Sequence, residues 1–170
     1  MPAGQILSFC MCGRDFLRGL LAGRLDCEGE GADVPGAGAL VDHVVMNLPA
    51  TALEFLDAFW GAFVPNRAAW ANRELPLVHC YCFAPPAEAS REAALARAAE
   101  YLGLPNGGAA LHEQAEAHVH AVRDVAPNKH MLCVTFRVPA EIAFAEGRHP
   151  RRSSEPSNSN KRAKTDAGPS

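Results

Sequence analysis

Three residues at 47–49, Asn-Leu-Pro, have the chemistry of a ligand site. They follow residues 40–46, a short run of mostly branched apolar residues typical of a strand covered on both faces. Ligands of open α/β sheets bind beyond the carboxyl ends of the strands. The Asn47 amide carries donors and an acceptor, and the Pro49 ring fixes the turn, so the pair suits the edge and face of a planar base. Helix capping by Asn47 is the simpler alternative.

Cys12-Gly13 occupies a similar place earlier in the chain. The pair follows a predicted strand at 5–11 and precedes a predicted helix at 14–25. A third such loop follows Phe83. These loops are the positions at which we expect binding residues.

Paired cysteines and histidines raise the question of a metal. Structural zinc sites usually space cysteines by two to four residues, whereas residues two apart on a strand simply share a face. Strand packing therefore explains the pairs Cys10/Cys12, Cys80/Cys82 and His118/His120. We predict no metal site and reduced thiols.

No residue can be assigned as the catalytic group. Asp15 and Asp42 are carboxylates near the candidate loops that could act as a base. Solvated roles at a helix start and a strand edge are the better interpretation of both. We interpret His43, His79 and His130 as packed or solvated.

The order of elements predicts an α/β sheet. Helical spacing at 50–63, with a capping box at Thr51 and Glu54, is followed by a strand at 75–83. A helix at 86–102 stops at Gly103. Alternating runs at 117–125 and 130–138 then predict an antiparallel β-hairpin. Arg123 and Lys129 flank its turn, as solvated charges or as phosphate contacts.

Composition predicts one folded domain and a tail. The chain has 170 residues, 48% hydrophobic, with a formal net charge of −3. We place the domain at 1–145 and a disordered basic tail at 146–170, whose basic clusters are either a nuclear address or solubilising. Neither a membrane span nor a signal peptide is predicted, so we expect a soluble monomer.

Four segments carry a resemblance to a known family. They read GRDFL at 13–17, HVVMNLPATALEFLDAFWGAF at 43–63, LPLVHCYCF at 75–83 and VRDVAPNKHMLCVTFRVPAEI at 122–142. Together they resemble the C-terminal part of the catalytic domain of tRNA (guanine-37-N1) methyltransferases of the eukaryotic and archaeal type. The fold implied is the C-terminal half of a Rossmann-like S-adenosylmethionine-dependent methyltransferase, ending in an antiparallel β-hairpin.

The resemblance implies an activity and roles for the candidate residues. The family transfers methyl from S-adenosylmethionine to N1 of guanosine 37, next to the anticodon of tRNA. By resemblance, Asn47 lies beside the cofactor and the target base, and Pro49 shapes the pocket. Cys12-Gly13 stands where the family has Asp-Gly beside the cofactor adenine. A thiol accepts hydrogen bonds poorly, so Cys12 should weaken cofactor binding.

The family also implies features that this sequence does not contain. The glycine-rich cofactor loop and the ribose-binding acid lie upstream in the family, so we expect the strand at 40–46 to present an unpaired edge. The alternative function is a truncated, non-catalytic module that keeps only tRNA or protein contacts. Family members act in the mitochondrial matrix, nucleus and cytoplasm, which is the localisation that the resemblance implies.

Overall fold

The computed structural model describes residues 6, 8–25, 40–105, 108–114 and 116–150. In chain order the described elements are α1 (Gly13–Leu21), β1 (His43–Met46), the 3₁₀ helix η1 (Ala52–Phe59), the 3₁₀ turn η2 (Val64–Asn66), α2 (Arg67–Trp70), β2 (Leu77–Ala84), the 3₁₀ turn η3 (Pro86–Glu88), α3 (Arg91–Leu102), α4 (Ala109–His112), β3 (His118–Ala126), β4 (Lys129–Arg137) and α5 (Ala140–Ala143).

The four described strands form one mixed sheet in the order β1-β2-β4-β3. β1 pairs with β2 in parallel, with Val45 opposite His79, and β2 pairs with β4 antiparallel, with Cys80 opposite Val134. β3 is antiparallel to β4, so β1, β2 and β3 run in one direction. The α/β class is therefore as predicted, and within the described residues β1 is an edge strand.

The predicted strand at 5–11 is wrong for residues 6 and 8–11, the part of this range that the structure describes. Residues 8–12 are irregular, and no described strand lies beyond β1 to accept their backbone hydrogen bonds. A β-rich composition does not make a strand without such a partner. The helix that follows ends at Leu21 rather than at 25, because Gly23 adopts φ +67° and turns the chain away.

The predicted helix at 50–63 is instead the shorter 3₁₀ helix η1. Its predicted capping box is wrong, since the Thr51 side chain makes no cap bond and the Glu54 N–H donates to the Thr51 carbonyl at 2.9 Å. Gly61, at φ +64°, donates its N–H to the Ile142 carbonyl at 2.8 Å. The chain is thus drawn off the helical path by α5, which is distant in sequence.

Later elements lie close to their predicted places. The helix predicted from residue 86 begins only at Arg91, because residues 86–88 form the separate 3₁₀ turn η3. Ser90 caps α3 by accepting a hydrogen bond from the Ala93 N–H at 3.1 Å. Gly103 ends it with φ +83°, as predicted. β3 and β4 match the predicted alternating runs to within one residue and are joined through Pro127 and Asn128.

The sheet buries one face and leaves the other partly open. Along β2 the side chains of Val78, Cys80, Cys82 and Ala84 are buried, while the alternate side chains are half-buried. The buried face packs against η1 and α3 around large side chains that include Phe59, Phe63, Leu95 and Phe136. A sheet with one covered face commonly leaves its second face in contact with solvent.

Packing continues past the predicted domain boundary at 145. The Trp60 indole donates to the Gly147 carbonyl at 3.2 Å, and His149, 3% exposed, packs edge-on against that indole. The basic clusters of the predicted tail, at 151–170, lie outside the described residues. Among the helices that the structure describes, none is long and apolar enough to cross a bilayer.

Gly103 should be intolerant of a side chain. A Cβ added there would lie 3.0 Å from His149 Nε2 and 3.1 Å from a Trp60 ring carbon, at a φ of +83°. We expect Gly103→Ala to lower the free energy of unfolding by about 1–3 kcal/mol in urea denaturation. Gly147→Ala is the control, because Gly147 has φ +80° but no atom within 4 Å of an added Cβ. Equal losses for the two variants would contradict the packing described.

Candidate functional site

The start of α1 and the carboxyl end of β1 border one cavity of about 520 Å³. This volume is in the range of small-molecule sites. Gly13, His43 and Asn47 line it, and the rest of the wall is largely apolar, with Phe16, Leu20, Val45 and Phe55 among its residues. The structure thus brings together two of the predicted site residues, Gly13 and Asn47.

The side chain of Asn47 is exposed and makes no hydrogen bond within the part of the chain that the structure describes. The capping alternative does not hold, because the first cap position of η1 is Thr51. The N–H groups of Thr51 and Ala52 both donate to the Leu48 carbonyl, at 2.9 and 2.8 Å. The Asn47 amide therefore keeps its donors and acceptor for another molecule.

Pro49 lies outside the cavity wall. Its carbonyl accepts a hydrogen bond from the Phe83 N–H at 3.2 Å, which ties the carboxyl end of β1 to that of β2. The predicted pocket-shaping role of Pro49 is thus not a direct contact with the cavity. Its effect in this structure is on the path of the chain after Asn47.

Cys12 and Gly13 contribute differently. The Cys12 side chain is exposed and makes no capping bond, while its carbonyl accepts from the Phe16 N–H at 2.9 Å. Gly13 borders the cavity, and a Cβ there would lie 3.4 Å from the Phe55 ring, an ordinary contact. Packing alone does not require glycine at this position.

Arg14 holds the site together and was missed by the sequence analysis. Its Nε donates to Asp57 Oδ1 and its Nη2 to the Glu54 carbonyl, both at 2.7 Å. The guanidinium also lies 4.3 Å from the centroid of the Phe55 ring. A cation in the first turn of a helix is unfavourable, because it lies near the positive end of the helix dipole. The position of Arg14 in the GRDFL segment could therefore have indicated that its charge is paired with an acid from another part of the chain.

A polar network crosses the open face of the sheet. His43 Nδ1 lies 3.0 Å from His79 Nε2, and His79 Nδ1 lies 3.1 Å from the hydroxyl of buried Thr135. Burial lowers the pKa of His79, and the nearby His43 and His118 lower it further. His79 is half-buried and His43 is exposed at the cavity wall, and both make hydrogen bonds that the sequence did not reveal.

The remaining candidate groups lie away from the cavity. Asp42 pairs with Arg73 at 2.9 Å and Asp15 is exposed in the first turn of α1; neither lines the cavity. Burial raises the pKa of the Cys80 and Cys82 thiols, which keeps them protonated in the core. Among the described side chains, no three of His, Cys, Asp or Glu are placed to hold a metal ion.

His79 should make stability depend on pH. Because its pKa is lowered in the folded chain, the unfolded chain binds the proton first as the pH falls below about 6.5. The free energy of unfolding should therefore fall with pH below that value, down to the folded pKa, and be unaffected by His79 above it. Urea denaturation at about pH 7.5 and about pH 5.5 measures this. His79→Gln should reduce the dependence and His120→Gln, on exposed β3, should not; an unchanged dependence in His79→Gln would refute the assignment.

Comparison with known proteins places these features in context. No family model matches the chain, and no solved structure matches it. The chain is similar to three proteins each named tRNA (guanine(37)-N(1))-methyltransferase. The protein of Batrachochytrium dendrobatidis is 44% identical over 61% of this chain and 20% of its own length. That of Homo sapiens is 42% identical over 67% and 21%. That of Danio rerio is 39% identical over 84% and 26%.

The chain thus spans between a fifth and about a quarter of the length of these relatives. The comparisons confirm the resemblance predicted from the sequence: this chain is similar to a part of the tRNA (guanine(37)-N(1))-methyltransferases.

Proposed function

We propose that this chain supplies part of the active site of an enzyme that methylates N1 of guanosine 37 in tRNA, with S-adenosylmethionine as the methyl donor. One observation carries the proposal. The unpartnered Asn47 amide and Gly13, at the start of α1, border the same cavity at the carboxyl end of β1. This is where ligands bind in open α/β sheets, and the names of the relatives supply the reaction.

The cavity fits part of the proposed cofactor. The rings of Phe16 and Phe55 suit the apolar surfaces of a nucleoside and a thioether chain, and the Asn47 amide can bond to one polar group. In the described wall, Asn47 and His43 are the side chains with hydrogen-bonding groups. The hydroxyl, amine and carboxylate groups of the cofactor therefore need further partners, which we expect beyond the free edge of β1.

The chemistry defines what Asn47 can do. S-adenosylmethionine, when bound, supplies an electrophilic methyl group. Methylation at N1 also requires the base to be held in line and its N1 proton to be removed. An amide is too weak a base for the second task, so Asn47 orients the guanine edge through its donors and acceptor. Another group must therefore accept the proton.

The sheet supports the proposed fold. β1 and β2 are parallel, and β4 enters the sheet antiparallel between β2 and β3. We propose that this order is the C-terminal half of a Rossmann-like methyltransferase sheet and that a further strand pairs with β1. The exposed edge at Val45, 65% exposed, is the position that such a strand would cover.

Two further expectations belong to the same proposal. The exposed Cys12 thiol beside Gly13 replaces a carboxylate of the family, so cofactor affinity should be lower than with an acid there. The mitochondrial matrix, nucleus and cytoplasm stay the predicted compartments, on the resemblance alone.

Calorimetry with S-adenosylmethionine tests the proposal on the 170-residue chain. We expect saturable binding that Asn47→Ala weakens by roughly tenfold, since one hydrogen bond to the ligand is lost. Asn66→Ala is the control, because Asn66 ends η2 and does not line the cavity; its amide nitrogen is buried, so thermal unfolding of this variant is measured alongside. Binding that Asn47→Ala leaves unchanged would refute the contact of Asn47 with the cofactor. Absence of binding would instead favour the non-catalytic module.

A further inference from the structure

The carboxyl end of β2 carries an aromatic ring paired with a lysine. Lys129, the first residue of β4, places its Nζ 4.0 Å from the centroid of the Phe83 ring. Phe83 is half-buried on the open face of the sheet, and Lys129 is exposed. Within the described residues Lys129 forms no ion pair. Its charge is therefore held over the ring and is not neutralised.

The backbone of Phe83 is fixed on both sides. Its N–H donates to the Pro49 carbonyl at 3.2 Å, and its carbonyl accepts from Arg97 Nη1 at 3.1 Å. Arg97 belongs to α3 and also lies 3.6 Å from Glu88. The ring thus rests on a backbone position tied to the end of β1 and to a helix, which is a rigid support for a contact surface.

The pair lies beside the segment that follows β1 and contains Asn47. The register of β1 and β2 ends with Met46 opposite Cys80, and beyond it the Phe83 N–H donates to the carbonyl of Pro49, two residues after Asn47. On the adjoining strand β3, Asp124 Oδ1 lies 2.5 Å from His130 Nδ1. The charged group that lies over the Phe83 ring is the Lys129 ammonium.

We propose that Phe83 and Lys129 form a contact for a single-stranded nucleotide of the RNA substrate beside the target guanosine, with the base on the Phe83 ring and the phosphate on the Lys129 ammonium. The inference rests on the proposed function and adds where the RNA binds. Single-stranded RNA is recognised by stacking of bases on aromatic rings and by cations at the phosphates. An exposed cation–π contact is weak relative to base–aromatic stacking, so a nucleotide can displace the ammonium from the ring.

A second pair of the same kind provides an internal comparison. Arg67 lies 4.6 Å from the centroid of the Phe144 ring. Phe144 follows α5, and α5 follows the end of β4 that pairs with the start of β2. This pair is therefore at the opposite end of the sheet from Asn47. It is also a cation held over an aromatic ring, but it lies far from the proposed site of the target guanosine.

Fluorescence anisotropy tests the contact, with a labelled tRNA transcript carrying guanosine at position 37 and the 170-residue chain. We expect Lys129→Gln to weaken binding and to reduce the slope of log Kd against log salt by about one, as for the loss of one phosphate contact. Phe83→Leu should weaken binding about fivefold or more with the slope unchanged, since leucine keeps the apolar volume but offers no ring to a base. Arg67→Gln, which removes the same charge elsewhere, should leave both quantities unchanged.

Several outcomes overturn the proposal. Equal effects of Lys129→Gln and Arg67→Gln would show a general charge effect, and no binding by the unsubstituted chain would show that it holds no RNA site. Displacement of the RNA by inorganic phosphate at constant ionic strength would show an anion site only. Calorimetry with S-adenosylmethionine on Lys129→Gln separates the two proposals: unchanged cofactor binding together with unchanged RNA binding removes this contact and leaves the proposed function standing.

Discussion

The hydrogen bonding of β2 on both of its edges is the constraint on which the rest of the structure depends. β2 is parallel to β1 on one side and antiparallel to β4 on the other, over all eight of its residues in the second case. Because buried backbone groups must be paired, this central position determines the registers of both neighbours. The parallel register brings the segment that follows β1 against the carboxyl end of β2, where the Phe83 N–H bonds to the carbonyl of Pro49, two residues after Asn47. Both proposed contacts are consequences of that register.

The cavity depends on packing between segments that are far apart in the sequence. α1 is attached to η1 by Arg14, which bonds to Asp57 and to the Glu54 carbonyl and covers the Phe55 ring. The side chains of Arg14 and Asp57 are largely shielded from water, at 30% and 13% exposure, so their attraction is less screened than that of a fully exposed pair. These contacts attach the start of α1, where Gly13 lines the same cavity as Asn47, to η1.

The two faces of the sheet have different roles. One face is covered by η1 and α3 and contains the protonated thiols of Cys80 and Cys82. The other bears the histidine network and the Phe83–Lys129 pair, and it continues to the free edge of β1. An uncovered apolar edge is a site for strand pairing. In the proposed enzyme, the strand that pairs with β1 would therefore also close the cavity in which Asn47 lies.

The sequence by itself determined features that depend on local pattern. Alternation at 117–125 and 130–138 located β3 and β4, Gly103 marked the end of α3, and the Asn-Leu-Pro segment indicated the end of β1. Features that depend on distant partners were decided only by the tertiary structure. Gly61 bonds to Ile142 and shortens η1, Arg14 reaches Asp57, and His79 lies between His43 and Thr135. These contacts join residues that are 36 to 81 positions apart, for example 36 for His43 and His79 and 81 for Gly61 and Ile142. Local propensity contains no information about such pairs, because their energies arise only when the strand registers have brought the partners together.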